Sequence, residues 1–219
     1  MRSLSMSNTR SSPLSSRDSV RHAVVRELIV DRIGREWCLF LDRDGVINRK
    51  IDGDYVRRWQ DFEWLPRAPL ALKILREYAP NLVVVTNQQG IGKGLMSSED
   101  VTVIHHHLQA ELAADGAEID AFQVCPHLES AGCACRKPEP GLVLDWLGRH
   151  PQAEPALSIM VGDSRSDLEL AHNVAASSGG CASIQIGAAN RRGMVADASF
   201  DSLWDFAVAV ARAREELGR

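Results

Sequence analysis

From about residue 36 onwards, short apolar runs alternate with longer amphipathic stretches, the pattern of a parallel sheet whose strands are joined by crossover helices. Strands are predicted over Trp37 to Leu41, Leu82 to Thr86, Ala121 to Val124, Ser158 to Gly162 and Ala182 to Ile186. Helices are predicted over Pro69 to Tyr78, Ser98 to Ala114, Gly141 to Gly148, Asp167 to Ala176 and Ser202 to Leu217. The second of these carries the clearest signals. Ser97 stands at its N-cap, Glu99 and Asp100 fill its first turn, and Val101, Ile104, Leu108 and Leu112 share one stripe. Ahead of the first strand, Val24, Val25, Leu28, Ile29 and Ile33 recur at helix-like spacing, so residues 21–35 read as a short helix or a loose lead-in. Residues 1–20 hold eight serines, three arginines and one acid, with no period, and read as a disordered leader. Either a transit peptide or an upstream extension from a misplaced start codon accounts for such a leader. The expected organisation is therefore a leader at 1–20, a lead-in at 21–35 and a single α/β domain at 36–219.

Composition narrows the function classes. With 219 residues, 45% of them hydrophobic and 25% charged, the chain has the balance of a globular protein with one sizeable core. A net charge of −4 gives no global positive field for nucleic acid or an anionic membrane surface, so any bound phosphate has to be held locally. No apolar run approaches the ~20 residues of a membrane span, and no signal-peptide core is present, which places the expected protein in the cytoplasm, as a monomer.

Three of the five cysteines fall within eleven residues, as Cys125-Pro126-His127 and then Cys133-Ala134-Cys135. Three thiols and an imidazole at this density fit a closed tetrahedral Zn²⁺ site, structural rather than catalytic because all four positions are protein. Arg136 and Lys137 follow at once, a guanidinium and a point charge suited to an anionic substrate, with Lys137 on a phosphoryl group. A solvated basic pair is the plainer alternative. Cys38 and Cys181 lie in or beside strands and are assigned to the core.

Three strand ends carry polar clusters, where open parallel sheets place their ligand sites. The first strand runs into Asp42-Arg43-Asp44-Gly45, either turn chemistry or a pair of site carboxylates. The second runs into Thr86-Asn87-Gln88-Gln89-Gly90, whose hydroxyl and amides suit phosphate oxygens although the stretch matches no P-loop. The fourth runs into Gly162-Asp163-Ser164-Arg165-Ser166-Asp167. Asp167 or Ser166 reads as a helix cap, whereas Asp163 facing Asp42 calls for a cation between them, and hard oxygen ligands suit Mg²⁺. His105, His106 and His107 point in three directions from one helix and read as surface and flank residues, and the five tryptophans read mostly as packing anchors.

Taken together and in this order, Asp42-Arg43-Asp44-Gly45-Val46, Thr86, Lys137 and Gly162-Asp163 resemble the four motifs of the haloacid dehalogenase superfamily of phosphohydrolases. The cysteine cluster, Arg136-Lys137-Pro138 and Thr86-Asn87-Gln88 are similar to its zinc-containing branch, which holds phosphatases of heptose bisphosphates and of histidinol phosphate. The resemblance spans about residues 36 to 190. It implies a Rossmann-like sheet between helices with no large cap domain, and a Mg²⁺-dependent phosphomonoesterase. Asp42 would then form an aspartyl-phosphate, and Asp44 would act as acid and base. Thr86 and Lys137 would stabilise the phosphoryl oxygens, while Asp42, the Asp44 carbonyl and Asp163 would hold Mg²⁺. Asp52, Gly53, Asp54, Tyr55, Asn87, Gln88, Gln89 and Arg136 are the expected substrate contacts. Between the two substrates the residues favour heptose 1,7-bisphosphate, a small-molecule sugar phosphate cleaved at carbon 7, because Arg136 suits a second phosphate. Histidinol phosphate, a polynucleotide 3′-phosphatase and a zinc module without catalysis are the alternatives.

Overall fold

A computed structural model describes residues 16–187 and 195–218. Six parallel strands, β1 (Cys38–Leu41), β2 (Asn81–Asn87), β3 (Ala121–Cys125), β4 (Ile159–Gly162), β5 (Ala182–Ile186) and β6 (Ala198–Phe200), form one sheet in the order β3-β2-β1-β4-β5-β6. The chain thus starts at the centre, winds to one edge and returns across β1 to the other. Ligand crevices in such sheets open at the carboxyl ends of the strands flanking the reversal, here β1 and β4. The helices are α1 (Ser16–Val30), α2 (Ala68–Arg76), the single turn α3 (Gln89–Gly92), α4 (Ser98–Ala113), α5 (Gly141–Arg149), α6 (Arg165–Ser178) and α7 (Leu203–Leu217).

The strands are apolar throughout because both faces are covered. Leu39, Leu41, Leu82, Val84, Ile159 and Val161 point to a cluster shared with α1, α2, α4 and α7. Their neighbours Cys38, Phe40, Val83, Val85 and Met160 point the other way, onto Val143, Trp146 and Leu147 of α5 and Leu170, Ala171 and Val174 of α6. Trp146 is fully buried edge-on to Phe40, with ring centroids 6.2 Å apart.

The expected α/β class and all five expected strands are present, and α4 starts on a full capping box between Ser97 and Asp100. Three features differ. The helix before β1 begins at Ser16, so residues 16–20 do not belong to a disordered leader, while residues 1–15 lie outside the described residues. That helix is no loose lead-in either, since Val25 and Ile29 are core residues beneath α7. A sixth strand, β6, extends the sheet beyond β5, pairing Ile184 with Ala198 and Ile186 with Phe200. Among the described residues, no helix is long and apolar enough to cross a membrane.

Candidate active site

Three strand ends deliver the polar groups. Asp42 follows β1 directly, its N–H donating to Val161 O on β4 at 2.9 Å, which ties this carboxylate to the crevice between the two strands. Gly45 then turns the chain at φ +99°, a left-handed conformation that side chains rarely adopt. A Cβ there would also fall 2.3 Å from Asp163 Oδ2, so glycine lets the β1 loop and the tip of β4 close on each other. Gly162 has the same function towards Asp167, whose Cβ would lie 2.1 Å from an added methyl.

Lys137 is the hub. Its ammonium is 4% exposed and reaches Asp42 Oδ1 at 2.7 Å, Asp167 Oδ1 at 2.7 Å and Val85 O at 2.9 Å, using all three donors. Burial works against its charge, but the two carboxylates outweigh burial and raise its pKa above the ordinary lysine value. Asp42 feels burial most, which pushes its carboxyl up to about 7 against the pull of Lys137. Its Oδ1 also accepts the Arg43 N–H at 2.7 Å. Asp167, fully buried, is the third carboxylate of the cluster. The sequence offers Asp167 or Ser166 as the helix cap; the N-cap is instead Ser164, and Asp167 completes its capping box from the first turn, accepting from Ser164 N at 3.0 Å and Ser164 Oγ at 2.5 Å, while its other oxygen serves Lys137.

Asp42, Asp163 and Asp167 offer carboxylate oxygens within 4.8 Å of one another. Octahedral Mg²⁺ with oxygens at about 2.1 Å puts its ligand atoms about 3.0 to 4.2 Å apart, so these carboxylates would draw in only slightly to share one ion. Burial raises the Asp163 pKa despite Lys50, whose Nζ stands 3.4 Å from Oδ2, and the buried Oδ1 of Asp163 has no hydrogen-bond partner. An orphaned oxygen beside two further carboxylates is a place made for a cation. Asp167 joins the expected Asp42 and Asp163 as a further carboxylate, while the carboxylate of Asp44 is directed elsewhere. There Arg43 Nη2 donates to both oxygens at 3.1 and 2.9 Å, Asn48 Nδ2 to Oδ1 at 2.9 Å and Gln88 Nε2 to Oδ2 at 2.9 Å. Burial pushes the Asp44 pKa up, yet Arg43 and these donors prevail and hold it below the usual carboxylate range.

The cysteine cluster lies far downstream of β2 in sequence but is clamped to its end. Gln88 N donates to Cys125 O at 2.8 Å, Gly92 N to Pro126 O at 2.9 Å, and Gln89 Oε1 accepts from Glu129 N at 2.8 Å. Cys125, Cys133 and Cys135 sulfurs lie 3.3 to 3.7 Å apart, and His127 Nδ1 lies 3.2 Å from Cys135 Sγ and 3.7 Å from Cys125 Sγ. A tetrahedron of Zn–S bonds near 2.3 Å has edges of about 3.8 Å, so the four atoms fit a zinc centre. Burial and the neighbouring sulfurs push the Cys135 thiol up to about 12, and a positive centre relieves that crowding.

The expected substrate contacts divide. Asn87, Gln88 and Gln89 spend their amides inside the protein. Asn87 Oδ1 accepts from Lys137 N at 3.0 Å and its Nδ2 donates to Lys137 O at 3.1 Å, fixing the lysine backbone. Gln88, 1% exposed, bridges Asp44 and Thr86 Oγ1 at 2.8 Å, and Gln89 Nε2 reaches Tyr55 OH at 3.4 Å. Asp52, Gly53 and Asp54 are exposed on the loop after β1, where Asp54 pairs with Arg57 at 2.7 Å. Tyr55 packs beside Gly90 with Lys93 5.3 Å above its ring. Arg136 keeps a buried, unpartnered Nη1 and lines, with Asn87, Lys137, Arg165 and Glu169, a cleft of about 730 Å³. His105, expected on the surface, is buried behind Arg43.

A doubly wound parallel sheet with aspartates closing on a buried lysine at the switch point defines a phosphohydrolase of the haloacid dehalogenase superfamily, and comparison with known proteins agrees. A crystal structure of D,D-heptose 1,7-bisphosphate phosphatase from Bordetella bronchiseptica, complexed with magnesium and phosphate, superposes with a TM-score of 0.71 at 32% identity, covering 82% of this chain and 99% of that one. The D-glycero-alpha-D-manno-heptose-1,7-bisphosphate 7-phosphatase of Mycobacterium tuberculosis is 70% identical over 191 residues, 87% of this chain and all of the relative. The beta-named counterpart from Rhodopseudomonas palustris is 37% identical over 144 residues, 63% of this chain and 78% of the relative. No protein-family model matches the chain. At these identities and coverages the chain belongs to the heptose-1,7-bisphosphate 7-phosphatase family.

Proposed function

We propose that the protein hydrolyses the carbon-7 phosphate ester of D-glycero-α-D-manno-heptose 1,7-bisphosphate through an aspartyl-phosphate on Asp42. The observation that carries the mechanism is the clustering of the Asp42, Asp163 and Asp167 carboxylates at the β1/β4 crevice, with Lys137 paired to Asp42 and Asp167. The substrate rests on the 70% identity to the relative named for the α-anomer. Histidinol phosphate draws no support from these relatives.

Asp42 Oδ1 is occupied by Lys137 and the Arg43 N–H, which leaves Oδ2 to attack phosphorus. Asp42, Asp163 and Asp167 are the carboxylates that would hold Mg²⁺, with the Asp44 carbonyl as a further ligand. Such an ion supplies charge neutralisation between an anionic nucleophile and a phosphate dianion. Lys137 places positive charge at the same point, and Thr86 Oγ1, fixed by Gln88, donates to a phosphoryl oxygen. Asp44 is ionised in the free enzyme. The approaching phosphate dianion raises its pKa by like-charge repulsion, so Asp44 takes up a proton from solvent on substrate binding, gives it to the leaving alkoxide and, once ionised again, takes the proton of the attacking water. Arg136, with an unpartnered buried nitrogen at the cleft, is the proposed contact of the anomeric phosphate. Asp52 to Tyr55 border the sugar. Cys125, His127, Cys133 and Cys135 would hold a structural Zn²⁺ that keeps Arg136 and Lys137 in place. Residues 36–219 together with the helix before them act as one catalytic domain on a small-molecule substrate.

The test is phosphate release from the α- and β-anomers of heptose 1,7-bisphosphate and from histidinol phosphate, with Mg²⁺ and with chelator. The reading expects the largest kcat/KM for the α-anomer, dependence on Mg²⁺ and loss in Asp42→Asn. Turnover that favours histidinol phosphate, or that survives Asp42→Asn, overturns it.

A further inference from the structure

Of the three consecutive histidines on α4, His105 is the one the helix turns inward, 5% exposed and stacked on Phe122 of the edge strand β3 with ring centroids 4.2 Å apart. Its Nε2 lies 3.2 Å from Arg43 Nη1. A guanidinium only donates, so Nε2 accepts and the ring is neutral with its proton on Nδ1. Arg43 itself is wholly buried, with Nε left without a partner, and grips both oxygens of Asp44 through Nη2. Arg43 therefore has Asp44 at one end and His105 at the other, and Phe122 fixes the plane of the imidazole.

We infer that His105 is a positioning residue, holding the Arg43 guanidinium so that Asp44 is aimed at the oxygen it protonates and at the water it later deprotonates. The inference rests on the acid–base role proposed for Asp44. Without the acceptor at Nε2, the guanidinium loses one of its two fixed ends and shifts in its pocket, and the Asp44 carboxylate, held otherwise by Asn48 and Gln88, is displaced with it. A misplacement of that order is costly in proton transfer, while phosphate binding through Lys137 and Thr86 is untouched.

Isosteres separate this role from simple core packing. The amide of glutamine reaches the position of Nε2, whereas asparagine stops short at that of Nδ1 with the same polarity. With the α-anomer of heptose 1,7-bisphosphate and Mg²⁺, His105→Asn is expected to lower kcat about 10- to 100-fold with KM nearly unchanged, and His105→Gln to restore most of the loss. In an Asp44→Asn background, His105→Asn is expected to change kcat by less than about twofold, because residues acting as one unit are not additive. Equal loss in the Gln and Asn variants, a loss carried by KM, or the full His105→Asn effect persisting beside Asp44→Asn overturns the inference. Wild-type turnover and its loss in Asp44→Asn report on the underlying acid–base reading separately. Should His105→Asn not fold, His105→Leu takes its place in the same comparison, with the same outcomes deciding.

Discussion

Asp42 and Asp44 stand two residues apart and meet opposite surroundings. Burial pushes the Asp42 carboxyl up to about 7 and leaves one oxygen unengaged, whereas Asp44 sits among donors that hold it ionised. With Asp42 as the proposed nucleophile, Asp42→Asn is expected to lower kcat about a thousandfold or more, measured by steady-state phosphate release. His105 carries a prediction about stability. Burial first, and then the Arg43 charge, lower its pKa from 6.5 to about 3. Between these values the unfolded chain binds more protons than the folded one, so this contribution is intact above the ordinary histidine pKa and is lost as pH falls towards the folded value. The slope is at most about 1.4 kcal/mol per pH unit, and urea titrations across the acid range are expected to show it flattened in His105→Gln. Sequence spacing made Asp42, Asp44, Asp163 and Lys137 legible, because each follows an apolar run or a dense cluster of thiols. It did not reveal His105, since three adjacent histidines look alike until the helix is docked, nor the second use of Asp167, whose capping geometry accounts for only one of its oxygens.

At the scale of elements, the loop from Pro126 to Lys137 has no strand or long helix of its own and is tied to the end of β2. Asn87 is the main latch, bonding both N–H and C=O of Lys137. Asn87→Ala is therefore expected to lower kcat about tenfold by loosening Lys137, and to destabilise the fold by about 1 to 3 kcal/mol through two unsatisfied backbone groups, as read by kinetics and urea denaturation. Stripping the cysteine cluster with a strong thiophilic chelator is expected to act on the same lysine, so its kinetic effect is smaller in Asn87→Ala than in the wild type. Amide side chains such as Asn87, Gln88 and Gln89 look like substrate contacts in a sequence because glycine-rich strand ends so often bind phosphate. Only the fold shows that the cysteine loop and the β1 loop take up most of their bonds. The same limit explains β6, three residues long, with Asp197 as its only flanking signal: Ser183 N and Oγ both donate to that carboxylate, at 2.7 and 2.8 Å.

For the whole molecule, the sheet is the common wall of both apolar clusters, since alternate residues of β1, β2 and β4 enter one or the other. Neither cluster can open without exposing the far side of the same strands, and the catalytic groups hang from those strands' ends. Loss of activity in urea is accordingly expected to coincide with loss of helical circular dichroism in a single transition. Trp146→Ala removes the largest fully buried side chain beneath β1 and leaves a cavity against Phe40. A cost of about 3 to 5 kcal/mol is expected, shifting both transitions to lower urea by the same amount with the slope unchanged. Because Trp146 lies beneath the sheet and touches none of the carboxylates, kcat in the absence of urea is expected to stay within about threefold of wild type. An activity loss that ran ahead of unfolding would instead mean that the strand ends respond separately from the core, which the shared strands argue against.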